Sequence, residues 1–512
     1  MLENIFRQLP KVFKYVFLAL TFSILVMFIQ SAFAKKEYEI GVFLLLVLVA
    51  IAITYLTNLS IPLKFFLPGI IFLSAFVIGP IIYTVVMSTF QYQTGNYISK
   101  AQAIERVAML GIAADEANTT FDVVVGKYNN QFAILASDSA NKKYLISTTS
   151  EKFDLSPQLL TIDENGVATS ATDFTPATTD EIAELDRQIS STRFKYEGDY
   201  FIMLEGSSLG AVARQVLKYD ETEDKFKNLV DGNQYVDNGR GNYANTSNPE
   251  DILQPGWRSP IWFSHYVDLV KDESVRSPLF TVFIWTVLFA FLTVLTQFAL
   301  GLLVAIAMNK SIWGRRVYRS IFILPYAMPS IMSILIWGGM FNTEFGAINA
   351  LLGTDIAWFQ NATFARVAVI LVNLWLGFPY FYLITSGAMQ AIPSELSEAA
   401  AIDGASPRQI FAKITLPLLL KIVTPLLIAS FAFNFNNFNL IYLLTGGGPR
   451  NELDGQIAGA TDILISYTYK IAFGSNIQDL GLASAISVII FIIIASISLY
   501  GVRKSKVLDS FS

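Results

Sequence analysis

Uncharged apolar runs near 15–34, 40–57, 65–90, 278–309, 320–341, 367–391, 422–445 and 480–502 set the rhythm of this chain. A helix needs roughly 20 apolar residues to cross a bilayer, because hydrocarbon offers no partner to an exposed backbone amide. The pattern predicts eight membrane-spanning helices, of which 40–57 is the shortest. Between the third and fourth runs the period changes. Short strand-like stretches such as Phe121-Asp122-Val123-Val124-Val125 and Phe132-Ala133-Ile134-Leu135 alternate with helical ones, at 98–117 and along the face of Ile182, Leu185 and Ile189. A segment of that length can bury a core of its own. The expectation is a polytopic α-helical membrane protein with three N-terminal spans in 1–90, an inserted α+β domain in 91–277 and a membrane core in 278–512.

Composition agrees with this reading and adds an orientation. Only 15% of the 512 residues are charged and the mean hydropathy is +0.48, whereas soluble domains carry about 25% charged residues. Residues 91–277 hold 28 acidic and 17 basic side chains, which leaves 13 acidic and 19 basic for the rest. An acidic soluble module beside a basic membrane part makes nucleic acid an unsuitable partner. Lys14, Lys64, Lys310, Arg315, Arg316, Arg319, Arg408, Lys413, Lys421 and Arg503 fall on one side of the predicted spans, against Lys35, Lys36, Arg366, Arg450 and Lys470 on the other. The positive-inside bias then places both termini and the 392–421 loop in the cytoplasm and 91–277 outside. Ala32-Phe33-Ala34 resembles a signal-peptide cleavage site, but the apolar run before it exceeds the usual length, so a retained anchor is expected. The chain has no cysteine and one histidine. That excludes disulfides, thiolate chemistry and His-based triads. His265, within Trp262-Phe263-Ser264-His265-Tyr266, reads as part of an interfacial helix with a structural role.

Polar side chains where lipid should be are the first chemical signal. Ser430-Phe431-Ala432-Phe433-Asn434-Phe435-Asn436-Asn437-Phe438-Asn439 lies inside an apolar run. Burying an amide without a partner costs several kcal/mol, roughly, so these groups should face protein or water. At about 100° per residue Ser430, Asn434 and Asn437 share one face, with Phe433 beside it, while Asn439 points to the opposite side and Asn436 lies between. Amides and a hydroxyl beside a phenyl ring suit a neutral polyhydroxylated solute, and no charge follows Lys421 in this span. Helix–helix hydrogen bonding is the competing use of such residues. In the preceding span, Gly377 and Pro379 of Trp375-Leu376-Gly377-Phe378-Pro379-Tyr380 allow a local break of the kind that forms transporter sites.

The most specific signal is Glu398-Ala399-Ala400-Ala401-Ile402-Asp403-Gly404-Ala405, followed by Ile414-Thr415-Leu416-Pro417. Ser394 is placed to cap a short helix with a smooth alanine face, Gly404 permits a sharp turn, and a second amphipathic helix is expected to end near Pro417. Glu-Ala-Ala, three residues, Gly, nine residues and Ile-x-Leu-Pro resembles the EAA loop of ABC importer permeases at every position. Asn434-Phe435-Asn436-Asn437-Phe438, Leu324-Pro325-Tyr326, Trp375-Leu376-Gly377 and Leu444-Thr445-Gly446-Gly447-Gly448-Pro449 narrow the likeness. Together with the span count they resemble the larger (MalF-type) permease of maltose/maltodextrin importers, over roughly 65–512.

The resemblance implies a type I importer core in a bacterial inner membrane. It assigns Glu398, Ala399, Ala400, Asp403, Gly404, Ile414, Leu416 and Pro417 to coupling with an ATPase, and Leu376, Gly377, Tyr380, Ser430, Phe433, Asn434 and Asn437 to the sugar. It also implies a second permease subunit, two ATPase subunits that bind ATP and Mg, and an extracytoplasmic sugar-binding protein, with no cofactor in this chain. In agreement, no Gly-x4-Gly-Lys-[Ser/Thr] loop occurs, since Gly126-Lys127 lacks the upstream glycine and is followed by Tyr128. The alternatives are import of another neutral glycan such as trehalose, an ion-coupled secondary transporter, for which no span carries a central ionisable residue, and a membrane sensor, for which the tail after Val502 is short.

Overall fold

The computed structural model describes residues 2–57, 61–183, 192–310, 312–450, 457–474 and 478–504. Leu185 and Ile189 of the expected helical face lie outside them. The chain divides into two compact units, Met1–Val86 and Met87–Ser512, and each is treated by itself.

The first unit holds three apolar helices, with spans at Val12–Ala34, Tyr38–Leu56 and Ile61–Met87, the last of which ends at the unit boundary. A tight turn at Lys36, in the left-handed region at φ 62°, reverses the chain between the first two. Gly41 lets them approach, because a Cβ there would stand 2.9 Å from the Phe33 ring. No more than 11% of any of these spans is buried. Their apolar faces are therefore addressed to lipid rather than to each other.

The second unit opens with the inserted domain. Its root is a two-stranded antiparallel stem in which Phe90 pairs with Pro260 and Gln91 with Ser259. His265, 3% exposed, donates from Nε2 to the Phe90 carbonyl at 3.0 Å and locks the stem to the Ser264–Lys271 helix. Above the stem an 11-stranded antiparallel sheet runs through Tyr200–Glu205, Leu209–Gln215, Thr120–Tyr128, Gln131–Asp138 and Lys143–Thr148 in spatial order. Val123, Val125, Ile134 and Leu145 pack on one face, and Leu135, Tyr144 and Ile146 on the other. Covering both faces explains why these strands read as nearly continuous apolar runs. A four-stranded meander from Leu217 to Asn245 closes a second core around Phe226, Tyr243 and Trp257.

The helix expected over 98–117 is shorter, Lys100–Leu110, and a strand follows at Ile112–Ala114. A capping box of Ser99 and Gln102 starts it. It ends at Gly111, where the backbone leaves helical geometry (φ −73°, ψ 49°) and the missing Cβ leaves room for the Leu217 side chain, which a Cβ would meet at 2.5 Å.

The membrane core is organised on two long helices, Glu273–Asn309 and Ala362–Gln390, each 44% buried over its span. Gly301 makes their contact possible: a Cβ would sit 2.6 Å from that of Phe381 and 2.7 Å from the Tyr382 amide. Pro407–Phe435 and Leu480–Lys504 flank the pair. Two expected spans are broken. The 320–341 run is Arg315–Ala327 and Ser330–Met340, meeting at 94°. Pro329 forces Met328 into extended backbone (φ −84°, ψ 141°), which a helix cannot continue. The 422–445 run ends as a helix at Phe435 and resumes at Phe438–Leu444, with Asn436 and Asn437 out of helical geometry. Among the described residues, seven helices are long and apolar enough to span, or eight with the bent pair.

A buried ion pair holds the segment between the last two spans. Asp462, fully buried, accepts from Lys470 Nζ at 2.6 Å, from Gly459 N at 2.7 Å and from Ser466 Oγ at 2.8 Å. Gly447, at φ 81°, passes so close that any Cβ would collide with the Asp462 carboxylate. Asp462→Asn leaves the Lys470 charge buried without its partner, which costs about 3–5 kcal/mol. A clear fall in the melting temperature of the detergent-solubilised protein is expected, and Lys470→Met together with Asp462→Asn should recover part of it.

Candidate functional site

The two breaks and the central helix pair enclose one cavity of about 640 Å3. All seven residues expected to meet a solute line it. Leu376, Gly377 and Tyr380 come from Ala362–Gln390, and Ser430, Phe433 and Asn434 from Leu416–Phe435. Asn437 comes from the break itself. The broken span adds Pro325, Tyr326, Met328, Ser330 and Ile334, and Glu273–Asn309 adds Gln297.

How they come together differs from the helical-face reading in three ways. Asn437 does not share an unbroken helix with Ser430 and Asn434. It caps the next helix through Oδ1, which accepts from the Leu440 amide at 3.4 Å. Asn439 also lines the cavity instead of pointing away, because the break resets the phase of every later residue. And no break falls at Gly377 or Pro379: the helix runs through both, anchored by buried Phe378, Phe381 and Tyr382. Gly377 has a different purpose. A Cβ there would lie 2.1 Å from Gln297 Nε2, so its bare backbone makes room for the amide that reaches across from the neighbouring helix.

That amide begins a network. Gln297 Nε2 donates to the Asn373 carbonyl at 2.6 Å, Asn373 Nδ2 donates to Asn434 Oδ1 at 2.7 Å, and Asn434 Nδ2 donates to the Ser430 carbonyl at 2.9 Å. Asn434 is 2% exposed. Its oxygen accepts from Asn373 on the neighbouring helix and its Nδ2 bonds Ser430 one turn back on its own, so it positions the wall and offers little to a ligand. The free chemistry lies around it. The side chains of Tyr380 and Asn439 make no hydrogen bond among the described residues, and Phe433 presents its ring at 69% exposure. No lining residue carries a formal charge. Gln297 and Asn373 were not singled out in the sequence, and Asn439 was assigned to the opposite face. The first two were visible as lone amides within apolar runs.

The 394–417 loop is a turn that passes directly into a membrane helix. Ser394–Ile402 starts after Pro393, and Ser394 makes no capping bond; the capping box is Ser406 with Gln409, one helix later. Gly404 sits at φ 83°, with the Ala405 amide donating to the Ala400 carbonyl at 2.9 Å, a left-handed helix end that glycine supplies without strain. The second helix does not stop near Pro417. It continues through one wide turn at Phe411–Thr415 into Leu416–Phe435, and that wide turn stands directly before Pro417, whose ring cannot close a regular i→i−4 bond. Leu419 and Val423, both fully buried, seat it against Leu302 and Ala388. Glu398, Ala399, Asp403 and Gly404 are exposed, and Ile402 is 86% exposed. The knob thus presents a bare isoleucine at its tip.

Gly377→Val should drive Gln297 off the Asn373 carbonyl. Uptake is expected to fall by about tenfold or more while the amount of protein in the membrane changes little, as checked by immunoblot beside radiolabelled solute uptake.

Residues 297–505 match the family model of the binding-protein-dependent transport system inner membrane component. The maltose/maltodextrin transport system permease protein MalF of Vibrio vulnificus (strain YJ016) is 36% identical over 467 residues, covering 86% of this chain and 85% of its own. MalF of Salmonella typhimurium (strain LT2) and MalF of Escherichia coli (strain K12) are each 33% identical over 496 residues, covering 93% of both chains. Identity rises to 46% over 275 residues in Klebsiella aerogenes. With a broken-helix cavity, an exposed Ala/Gly loop feeding one of its walls and relatives aligned along nearly the whole chain, this protein belongs to the MalF family of maltose/maltodextrin transport permeases.

Proposed function

We propose that this chain is the membrane-spanning subunit of an ATP-driven maltose/maltodextrin importer, and that the 640 Å3 cavity holds the sugar in transit. The observation that carries the reading is the uncharged lining. Amides and hydroxyls meet sugar hydroxyls, Phe433 covers C–H faces, and no charged side chain lines the cavity to favour an ionic solute. The volume falls within the range of roughly 300–1,000 Å3 usual for small-ligand pockets. Tyr380 and Asn439, unengaged by the protein, are the hydrogen-bonding side chains a sugar would meet. Asn437 adds its amide N–H groups.

Coupling follows from the helix that joins knob to cavity. From Pro407 to Asn434 the chain is helical, roughly 40 Å at 1.5 Å per residue. In this reading the knob fits a partner ATPase on the cytoplasmic side, and movement at Glu398–Gly404 tilts a rod whose far end carries Ser430, Phe433 and Asn434. Two ATPase subunits bind ATP and Mg, a second permease completes the pore, and the inserted domain, on the outer side, receives a sugar-binding protein. The chain itself performs no hydrolysis.

Two tests separate the parts. Gly404→Val has open space around it but a backbone that valine resists, at a cost of about 1–2 kcal/mol. In the reconstituted complex it should uncouple ATP hydrolysis from sugar-loaded binding protein while the subunits stay assembled; coupled turnover at the wild-type rate would refute the lever. Asn437→Leu and Tyr380→Phe should each lower maltose uptake severalfold with basal ATP hydrolysis unchanged. Wild-type uptake by both would remove the cavity from the path.

A further inference from the structure

The three N-terminal helices enclose a second, different hollow of about 560 Å3. Its floor is Leu18 and Leu67, 6% and 7% exposed, and its open walls include Phe13, Phe17 and Phe72, at 71%, 59% and 63% exposure. The lining is almost wholly apolar. The Thr21 hydroxyl proton is spent on the Phe17 carbonyl at 2.9 Å. Such a hollow, opening on the hydrocarbon of a bilayer, attracts no water. Whatever fills it must be apolar.

One end of the hollow is cationic. Lys14, itself in the lining, donates from Nζ to the Tyr55 carbonyl at 2.8 Å, and Lys64 donates from Nζ to the Thr57 carbonyl at 3.4 Å, so both ammonium groups gather at the C-terminal end of Tyr38–Leu56. An ammonium carries three donors, and the described residues occupy one of those of Lys14. No carboxylate among the described residues pairs with Lys14 or Lys64. The same mouth therefore joins an apolar slot to a cation with unspent donors.

We propose that this groove binds an anionic phospholipid, one acyl chain lying over Leu18 and Leu67 and the phosphate on Lys14. A zwitterionic lipid fills the slot equally well but brings a positive group to the lysines, so the preference for net negative charge resides in Lys14. The positive-inside bias assigns the site to the inner leaflet, where anionic lipids draw basic residues.

The test is native mass spectrometry of the full-length protein in mild detergent, titrated with phosphatidylglycerol or with phosphatidylcholine of the same acyl chains. Wild type should retain phosphatidylglycerol about fivefold better. Lys14→Gln should bring the two lipids to parity with phosphatidylcholine retention unchanged, and Lys14→Arg should keep the preference. Leu18→Trp, which fills the floor, should lower retention of both lipids; if that variant misfolds, Ile71→Trp tests the same slot from its wall. Equal retention by wild type, a preference that survives Lys14→Gln, or tryptophan variants that bind both lipids normally would each overturn the site. Loss of the preference in millimolar inorganic phosphate would show that Lys14 reads free phosphate and not a lipid, and would overturn it as well.

Discussion

Inside hydrocarbon every peptide group and every amide side chain must be satisfied by the protein, or sit at a cavity where water or solute satisfies it. The architecture of this chain follows from where that requirement is met and where it is relaxed. It is met along Glu273–Asn309 and Ala362–Gln390, which pack closely through Gly301 and keep helical geometry even across Pro379. It is relaxed at Met328–Pro329 and Asn436–Asn437, and both lapses open onto one cavity. Breaks facing lipid would leave several donors and acceptors unpaired at several kcal/mol apiece, roughly.

The amide network from Gln297 through Asn373 and Asn434 to Ser430 turns this constraint into a scaffold. It ties three helices together at the depth of the cavity and spends the buried amides on each other. The exposed remainder is a set of hydroxyl, amide and phenyl groups without charge. Residues that hold the wall and residues that face the open cavity are thus different side chains, although they alternate along the same few turns.

The 394–417 loop uses the same economy. One rigid helix begins at the capping box of Ser406 and ends beside the cavity, so the exposed knob and the cavity wall are two ends of one object. The left-handed turn at Gly404 folds the short Ser394–Ile402 helix against its root.

The apolar runs, the β-rich insertion, the knob and the polar face of Ser430, Asn434 and Asn437 were legible in the sequence as local contrasts of polarity: amides within apolar runs, strand-length runs within a polar segment, alanine and glycine on a basic loop; Leu376 and Gly377 joined the cavity set only through the family resemblance. What tertiary structure decided was phase and partnership. Asn439 reached the cavity only because the helix stops at Phe435, and the stop fell there and at Pro329, not at Gly377 and Pro379, since Phe381 and Tyr382 pack against the neighbouring helix and hold the turn closed. Asp462 and Lys470 look like two ordinary loop charges until the fold buries them together. Polarity along a chain reports which groups need a partner; only packing determines which partner each one finds.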